Sequence, residues 1–223
     1  MDWALAIERN REALKGIVTA LAAMLGLADG DTAARIPFAL RRAVLRVLRP
    51  AESAVRRLIV IAARGLVVEL PPARPKPTGR SIRQGGGKQR PAFPLFDPRK
   101  RFVRPARAVP RIHSFASDPT VAALWSASAA RARVPLPPDG SVDASRLCLR
   151  LRALKLALDD LPRQAQRLAR ARARRATVQI LRFKSPLRPG RPPGYRRKPV
   201  HEVDHILAEC HGLARDALAP DSS

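Results

Sequence analysis

Proline is spread so unevenly along this chain that it decides in advance where regular structure can form. Of 22 prolines, 13 lie between Pro71 and Pro138. Each removes a backbone donor and crowds the preceding turn, so neither a helix nor an inner strand can run through that stretch. PPARPKPTGRSIRQGGGKQRPAFPLFDPRKRF is also rich in glycine and arginine, which favours extended, solvated chain. The expected organisation is an N-terminal helical hairpin over 1–69, a basic Pro/Gly-rich linker over 70–142 and a long helix with a basic C-terminal half over 143–184. A second basic linker over 185–199 and an amphipathic helix over 200–219 complete it. Within the first linker, Phe93, Leu95, Phe96 and Phe102 form a short apolar group that could dock on the helices.

The flanks carry helical periodicity. Trp3, Ile7, Asn10, Leu14, Ile17, Leu21 and Met24 alternate steps of four and three, the spacing of an apolar seam, with Asn10 as its polar member. Leu40, Val44, Val47, Ala51, Val55, Leu58 and Ala62 repeat it, with Arg42, Arg46, Arg49, Arg56 and Arg57 largely on other faces as a basic side. Pro50 should kink or divide that helix. Leu147, Leu151, Leu154, Leu158, Leu161, Ala165 and Leu168 form a third series, after which arginine and alanine replace the seam and the helix should leave the core. Asp159-Asp160-Leu161-Pro162 reads either as a kink or as a fresh start capped by Asp160. The predicted helices span 2–28, 37–68, 144–184 and 200–218. The fold class is mainly α, a small antiparallel bundle with long irregular Pro/Gly/Arg-rich segments.

Charge narrows the partner. The 43 Lys and Arg against 18 Asp and Glu leave a formal +25, which calls for a polyanion: nucleic acid, anionic lipid or an acidic protein. Arginine outnumbers lysine 36 to 7, a bias that a GC-rich coding sequence would itself supply. Three independent apolar seams argue that the reading frame is nonetheless a folded protein. Two cysteines, Cys148 and Cys210, are too few for a disulfide framework and point to reduced thiols in the cytoplasm. The N-terminal segment MDWALAIERNREALK lacks a basic n-region and a continuous apolar stretch, so no secretion signal is read. The apolar runs Ile17 to Ala28 and Leu58 to Ala63 are shorter than the roughly 20 residues of a membrane span.

Four motifs bear on chemistry. HEVDHILAECH satisfies H-E-x-x-H and resembles a metzincin zinc helix, with His211 in the third-ligand position and Ala208 where those enzymes have the glycine that turns the chain. Alanine continues the helix, placing His211 about 15 Å of rise beyond His201. Val203, Ile206, Leu207, Cys210, Leu213, Ala214 and Ala217 make one apolar face, and His201 and His205 point away from it. The stretch therefore reads as an amphipathic helix with solvated histidines rather than a walled zinc site, and neither a metal nor another cofactor is expected. Gly85-Gly86-Gly87-Lys88 is followed by glutamine, where a phosphate loop needs Ser or Thr, and reads as flexible linker.

From Arg163 to Lys198 there are 13 Lys or Arg and no acid. Arg163, Arg167, Arg170 and Arg174 line one helical face, and Arg172 and Arg175 widen it, an arrangement able to meet successive backbone phosphates. RPGRPPGYRRK resembles an AT-hook: Gly190, Arg191 and Pro192 match its centre, and Arg188, Arg196, Arg197 and Lys198 could hold phosphates. Pro189 stands where the usual hook has arginine, so a plain basic linker is the competing reading. Tyr195 could stack on a base. PAFPLFDPRKRF together with RPGRPPGYRRKPVHEVDHILAECHGLARDAL resembles a family of uncharacterised alphaproteobacterial proteins over most of the chain. That resemblance implies a genuine frame and a bacterial host, and transfers no activity.

These readings lead to an expected non-enzymatic accessory protein that binds nucleic acid, DNA ahead of RNA, with no small-molecule substrate. A helical partner or self-association through the seams is the first alternative. Attachment to anionic membrane through the helix over 37–68 is the second.

Overall fold

The computed structural model describes residues 2–27, 35–70, 91–98, 140–177 and 185–219. Helix α1 (Trp3–Met24) begins where Asp2 Oδ1 accepts the amides of Ala4 at 3.0 Å and Leu5 at 3.1 Å, satisfying two donors of the first turn. Strand β1 (Arg35–Pro37) leads into α2 (Phe38–Ala62). Strand β2 (Ser141–Asp143) leads into α3 (Ser145–Asp159), and α4 (Leu161–Thr177) and α5 (Glu202–Asp216) follow. β1 and β2 pair antiparallel with Ile36 opposite Val142. Hydropathy and spacing alone give no sign of this pair. It brings the starts of α2 and α3 together across the proline-rich middle.

Among the described residues, α2 is the hub and packs against every other helix. Residues 50–61 are all buried, which requires neighbours on every side of the helix. The apolar residues at its centre, Ala51, Ala54, Val55, Leu58 and Ile59, are fully enclosed. Around them lie Leu14, Val18 and Leu21 of α1, the whole predicted series from Leu147 to Leu168, and Val203, Ile206, Leu207 and Cys210 of α5. α1 departs slightly from its predicted seam: Val18 is buried and Met24 is half exposed. At 3.6 residues per turn, the buried stripe drifts away from a strict 3.5-residue repeat. Asn10 is buried as the seam implied, its amide donating to the Ala6 carbonyl at 2.9 Å and to Glu209 of α5 at 3.2 Å.

Several expectations are corrected. Pro50 does not divide α2, which runs unbroken through it. α2 ends at Ala62 rather than 68, and Gly65 takes a left-handed φ of 71° just beyond. The helix foreseen over 144–184 is two helices. Asp160 leaves helical geometry and caps α4 by accepting the Arg163 amide at 3.2 Å, with Pro162 in the first turn. The part foreseen over 178–184 lies outside the described residues, as do Phe102, Gly85 to Lys88 and all of the 70–142 linker except 70, 91–98 and 140–142.

Residues 91–98 and 185–199 of the two linkers pack against the helices without forming helix or strand. Phe93 and Leu95 are buried, as docking of the apolar group requires, and Phe96 is partly covered. Asp97 is buried with them. Residues 185–199 do not form a free arm either: Pro186, Leu187 and Pro192 are buried. Gly194 lies so close to α2 that a Cβ there would stand 2.7 Å from the Pro50 nitrogen. Proline has no amide hydrogen to project at that point, and glycine has no side chain, so the two backbones meet directly.

Candidate nucleic-acid interface

α2 carries four polar side chains through the core, and their partners explain why the two proline-rich segments fold onto it. Arg57 is completely enclosed. Its Nη2 donates to Asp97 Oδ2 at 3.1 Å, its Nη1 to the Ser53 carbonyl at 2.8 Å and its Nε to His211 Nδ1 at 3.3 Å. Arg56 lies with its Nη1 3.5 Å from Asp97 Oδ1, donates Nε to the Pro94 carbonyl at 3.1 Å and stands 5.6 Å from the centre of the Phe93 ring. Burial pulls both guanidinium groups below the ordinary arginine range, and the Asp97 carboxylate pulls them back toward it. Glu52 takes a two-pronged pair from Arg150 of α3, at 2.8 and 2.9 Å, which raises the Arg150 pKa. The Ser53 hydroxyl donates to the Pro193 carbonyl at 2.6 Å.

Arg56 and Arg57 were expected on a basic outer face of α2, and the structure places them inside. Asp97 is the reason. It neutralises part of that buried charge, its own amide donates to the Pro186 carbonyl at 3.0 Å, and its Oδ2 accepts the Arg188 amide at 3.3 Å. One carboxylate thus ties α2, the 91–98 segment and the 185–199 segment together.

This clamp leaves two grooves with basic walls. The first, of about 740 Å³, lies between residues 185–195 and the end of α5; Arg188, Arg191 and Arg215 line it with His211, Tyr195, Leu187 and Leu218. The second, of about 520 Å³, runs along the first half of α2, where Arg41, Arg42, Arg46 and Arg49 face Arg196, Gly194 and Tyr195. Tyr195 belongs to both. Among the described residues, no carboxylate lines either one.

The arm that resembles an AT-hook is folded into turns rather than extended. Gly190 takes φ 76° and Gly194 φ 85°, the Tyr195 amide closes a turn onto the Pro192 carbonyl at 3.1 Å, and Arg188 Nε donates to the Arg191 carbonyl at 2.7 Å. Arg191 lies 5.5 Å from the centre of the Tyr195 ring. Arg188, Arg191 and Arg196 therefore come together around the grooves, whereas Arg197 and Lys198 are exposed outside their linings.

The arginines of α4 are not a uniform face. Arg163, Arg170 and Arg174 are exposed, with Arg163 3.9 Å from Asp160. Arg167 bonds to Gln164, Arg172 is half-buried with its pKa lowered by desolvation, and Arg175 stacks 3.8 Å from the Phe96 ring centre. So α4 does not simply run out into solvent: its basic end lies on the 91–98 segment.

The C-terminal motif has separated roles. His205 is exposed, and His201 stands at the start of α5, where Asp204 Oδ2 accepts the amides of Val200 and His201 at 3.0 and 3.2 Å. His211 faces the first groove. Its Nδ1 accepts from Arg57, so the ring is held neutral with its proton on Nε2. Burial lowers its pKa, and Arg57 and Arg215 lower it further. Among the described residues, no three His, Cys, Asp or Glu side chains gather as a metal site, and no helix is long and apolar enough to cross a membrane.

Sequence reasoning missed Arg41, Arg215 and His211 as groove residues and gave Arg42, Arg46 and Arg49 to a membrane alternative. Their spacing along α2 was a visible signal. What it could not show was the facing wall, which comes from residues 150 positions later. Comparisons with protein-family models, curated proteins and solved structures find no match.

Proposed function

We propose that the protein is a non-enzymatic accessory factor that binds nucleic acid through backbone phosphates along the two grooves that meet at Tyr195. The observation that carries this reading is the lining itself: among the described residues, three arginines in one groove and five in the other, with no acid in either. Such walls gain free energy by releasing counterions, and an aromatic ring between them offers a base a stacking surface. The exposed Arg163, Arg170 and Arg174 of α4, with Arg197 and Lys198, widen the positive surface. A nucleic-acid partner would be met in the cytoplasm of a bacterial host, which this proposal includes.

The test is binding of labelled DNA and RNA measured by fluorescence anisotropy against salt. Affinity should fall by about a thousandfold or more between about 50 and 200 mM salt. Arg46→Glu and Arg49→Glu should each weaken all sequences alike and make the salt slope shallower by about one. Absence of binding in low salt to both DNA and RNA would sink the reading. Charge reversal is the right perturbation, because removing residues 185–199 would also strip a wall from the core.

A second reading has one observation in its favour. Leu149 and Leu156 are two turns apart on α3, and each is nearly half exposed, a stripe suited to a helical partner. Membrane attachment through α2 has less support, since the apolar residues of its second half are covered by the other helices.

A further inference from the structure

We propose that the groove between residues 185–195 and the end of α5 takes a phosphate dianion, and that its source is the terminal phosphate of a nucleic-acid strand. This rests on the nucleic-acid reading above and specifies which part of the strand enters which groove. The two grooves differ in kind. The one along α2 is a row of arginines on successive turns, matched to successive singly charged diesters. The one at α5 gathers Arg188, Arg191 and Arg215 around a single mouth together with His211.

That gathering is held in place from behind. The Arg188 amide is bonded to Asp97, and its Nε to the Arg191 carbonyl, leaving its terminal nitrogens as donors. His211 has its Nδ1 occupied by the enclosed Arg57, so Nε2–H is its only donor, fixed in polarity by a residue that itself cannot turn. A neutral imidazole donor beside three guanidiniums is suited to a phosphate oxygen, because it adds a hydrogen bond without adding repulsion. The Asp97 carboxylate, which accepts the Arg188 amide, is already engaged by Arg56 and Arg57.

Charge and connectivity favour a chain end over a chain interior. A phosphate monoester carries about −1.5 to −2 at neutral pH, roughly one and a half to two times the charge of a diester, and so gains more from a groove lined by three arginines. An internal diester also needs the strand to leave on both sides. The described lining of this groove adds the apolar Leu187 and Leu218, which offer a continuing backbone no donor, and Tyr195 is shared with the second, arginine-lined groove. A strand whose end sits beside His211 would run over Tyr195 and along Arg49, Arg46 and Arg42.

The experiment compares full-length protein binding to labelled strands identical except for a 5′-phosphate, a 3′-phosphate or hydroxyls at both ends, with inorganic phosphate as a separate probe by calorimetry. One phosphorylated end should bind about tenfold tighter than the hydroxyl-ended strand. Arg215→Gln, at an exposed site, should erase that ratio and Arg215→Lys restore part of it. Arg46→Gln should weaken all three strands and preserve the ratio. Equal affinity for the three strands, or a ratio unchanged by Arg215→Gln, overturns the proposal. If no strand binds, the nucleic-acid reading fails on its own. Inorganic phosphate held by the wild type but not by Arg215→Gln then supports the groove as a free-phosphate site, and no phosphate binding overturns the groove as well.

Discussion

Arg57 concentrates the physics of this protein in one side chain. A guanidinium with no exposed surface is tolerated only because Asp97, the Ser53 carbonyl and His211 between them accept from its three nitrogens. Removing the carboxylate strands two buried cations at once. Asp97→Ala should therefore destabilise the fold by about 3–5 kcal/mol, read as a lower urea midpoint, and replacing Arg57 and Asp97 together by apolar residues should cost less than Asp97→Ala alone. An equal or greater loss in the double variant would show that the pair is not what holds the segment. Cys210, beside this cluster, has its thiol pushed up to about 12 by burial, so it behaves as a small apolar core residue. At this scale, the seam residues were legible because each needs only its own helix to be placed. Arg56, Arg57 and Asp97 were not, because an arginine on a helix looks the same whether it faces water or a carboxylate 40 residues away.

At the level of elements, the decisive contact is between a proline in the middle of a helix and a glycine in a segment that composition marks as linker. Pro50 suggests a break, and RPGRPPGYRRK suggests free chain. Packed together they form a junction, since each supplies the bareness that the other needs. Gly194→Ala should cost roughly 1–3 kcal/mol, from a left-handed φ and a Cβ driven into the Pro50 backbone. A thermal melt would detect it, and a variant as stable as wild type would mean that residues 185–199 are not seated as described. The break at Asp160 shows the opposite situation: both alternatives were present in Asp159-Asp160-Leu161-Pro162, and capping with an N-terminal proline selected the fresh start. The predicted helices were recovered with ends shifted mostly by a few residues, because periodicity reports a face and not its terminus. The short β1–β2 pair stayed hidden because Arg35–Pro37 and Ser141–Asp143 mean nothing until the chain brings them side by side.

The whole molecule carries a formal +25, and that excess acts on the fold as well as on any partner. Like charges along Arg41, Arg42, Arg46 and Arg49 repel across α2 and across the groove to Arg196. Moderate added salt should then raise the melting temperature by screening self-repulsion while weakening the proposed nucleic-acid binding, two effects of opposite sign from one set of residues. A melting temperature that falls steadily with salt would show that attractive ion pairs dominate instead. A mainly α fold, the apolar faces of the helices and the large excess of positive charge were all determined by the sequence alone, because periodicity and net charge are sums over neighbouring residues. Which arginines are core and which are wall, that residues 91–98 and 185–199 pack on the helices, and that His211 rather than His201 or His205 faces a basic groove were decided only by the tertiary structure. Each depends on a contact between residues tens to more than a hundred positions apart, and a buried charge declares its role only when its partner has arrived.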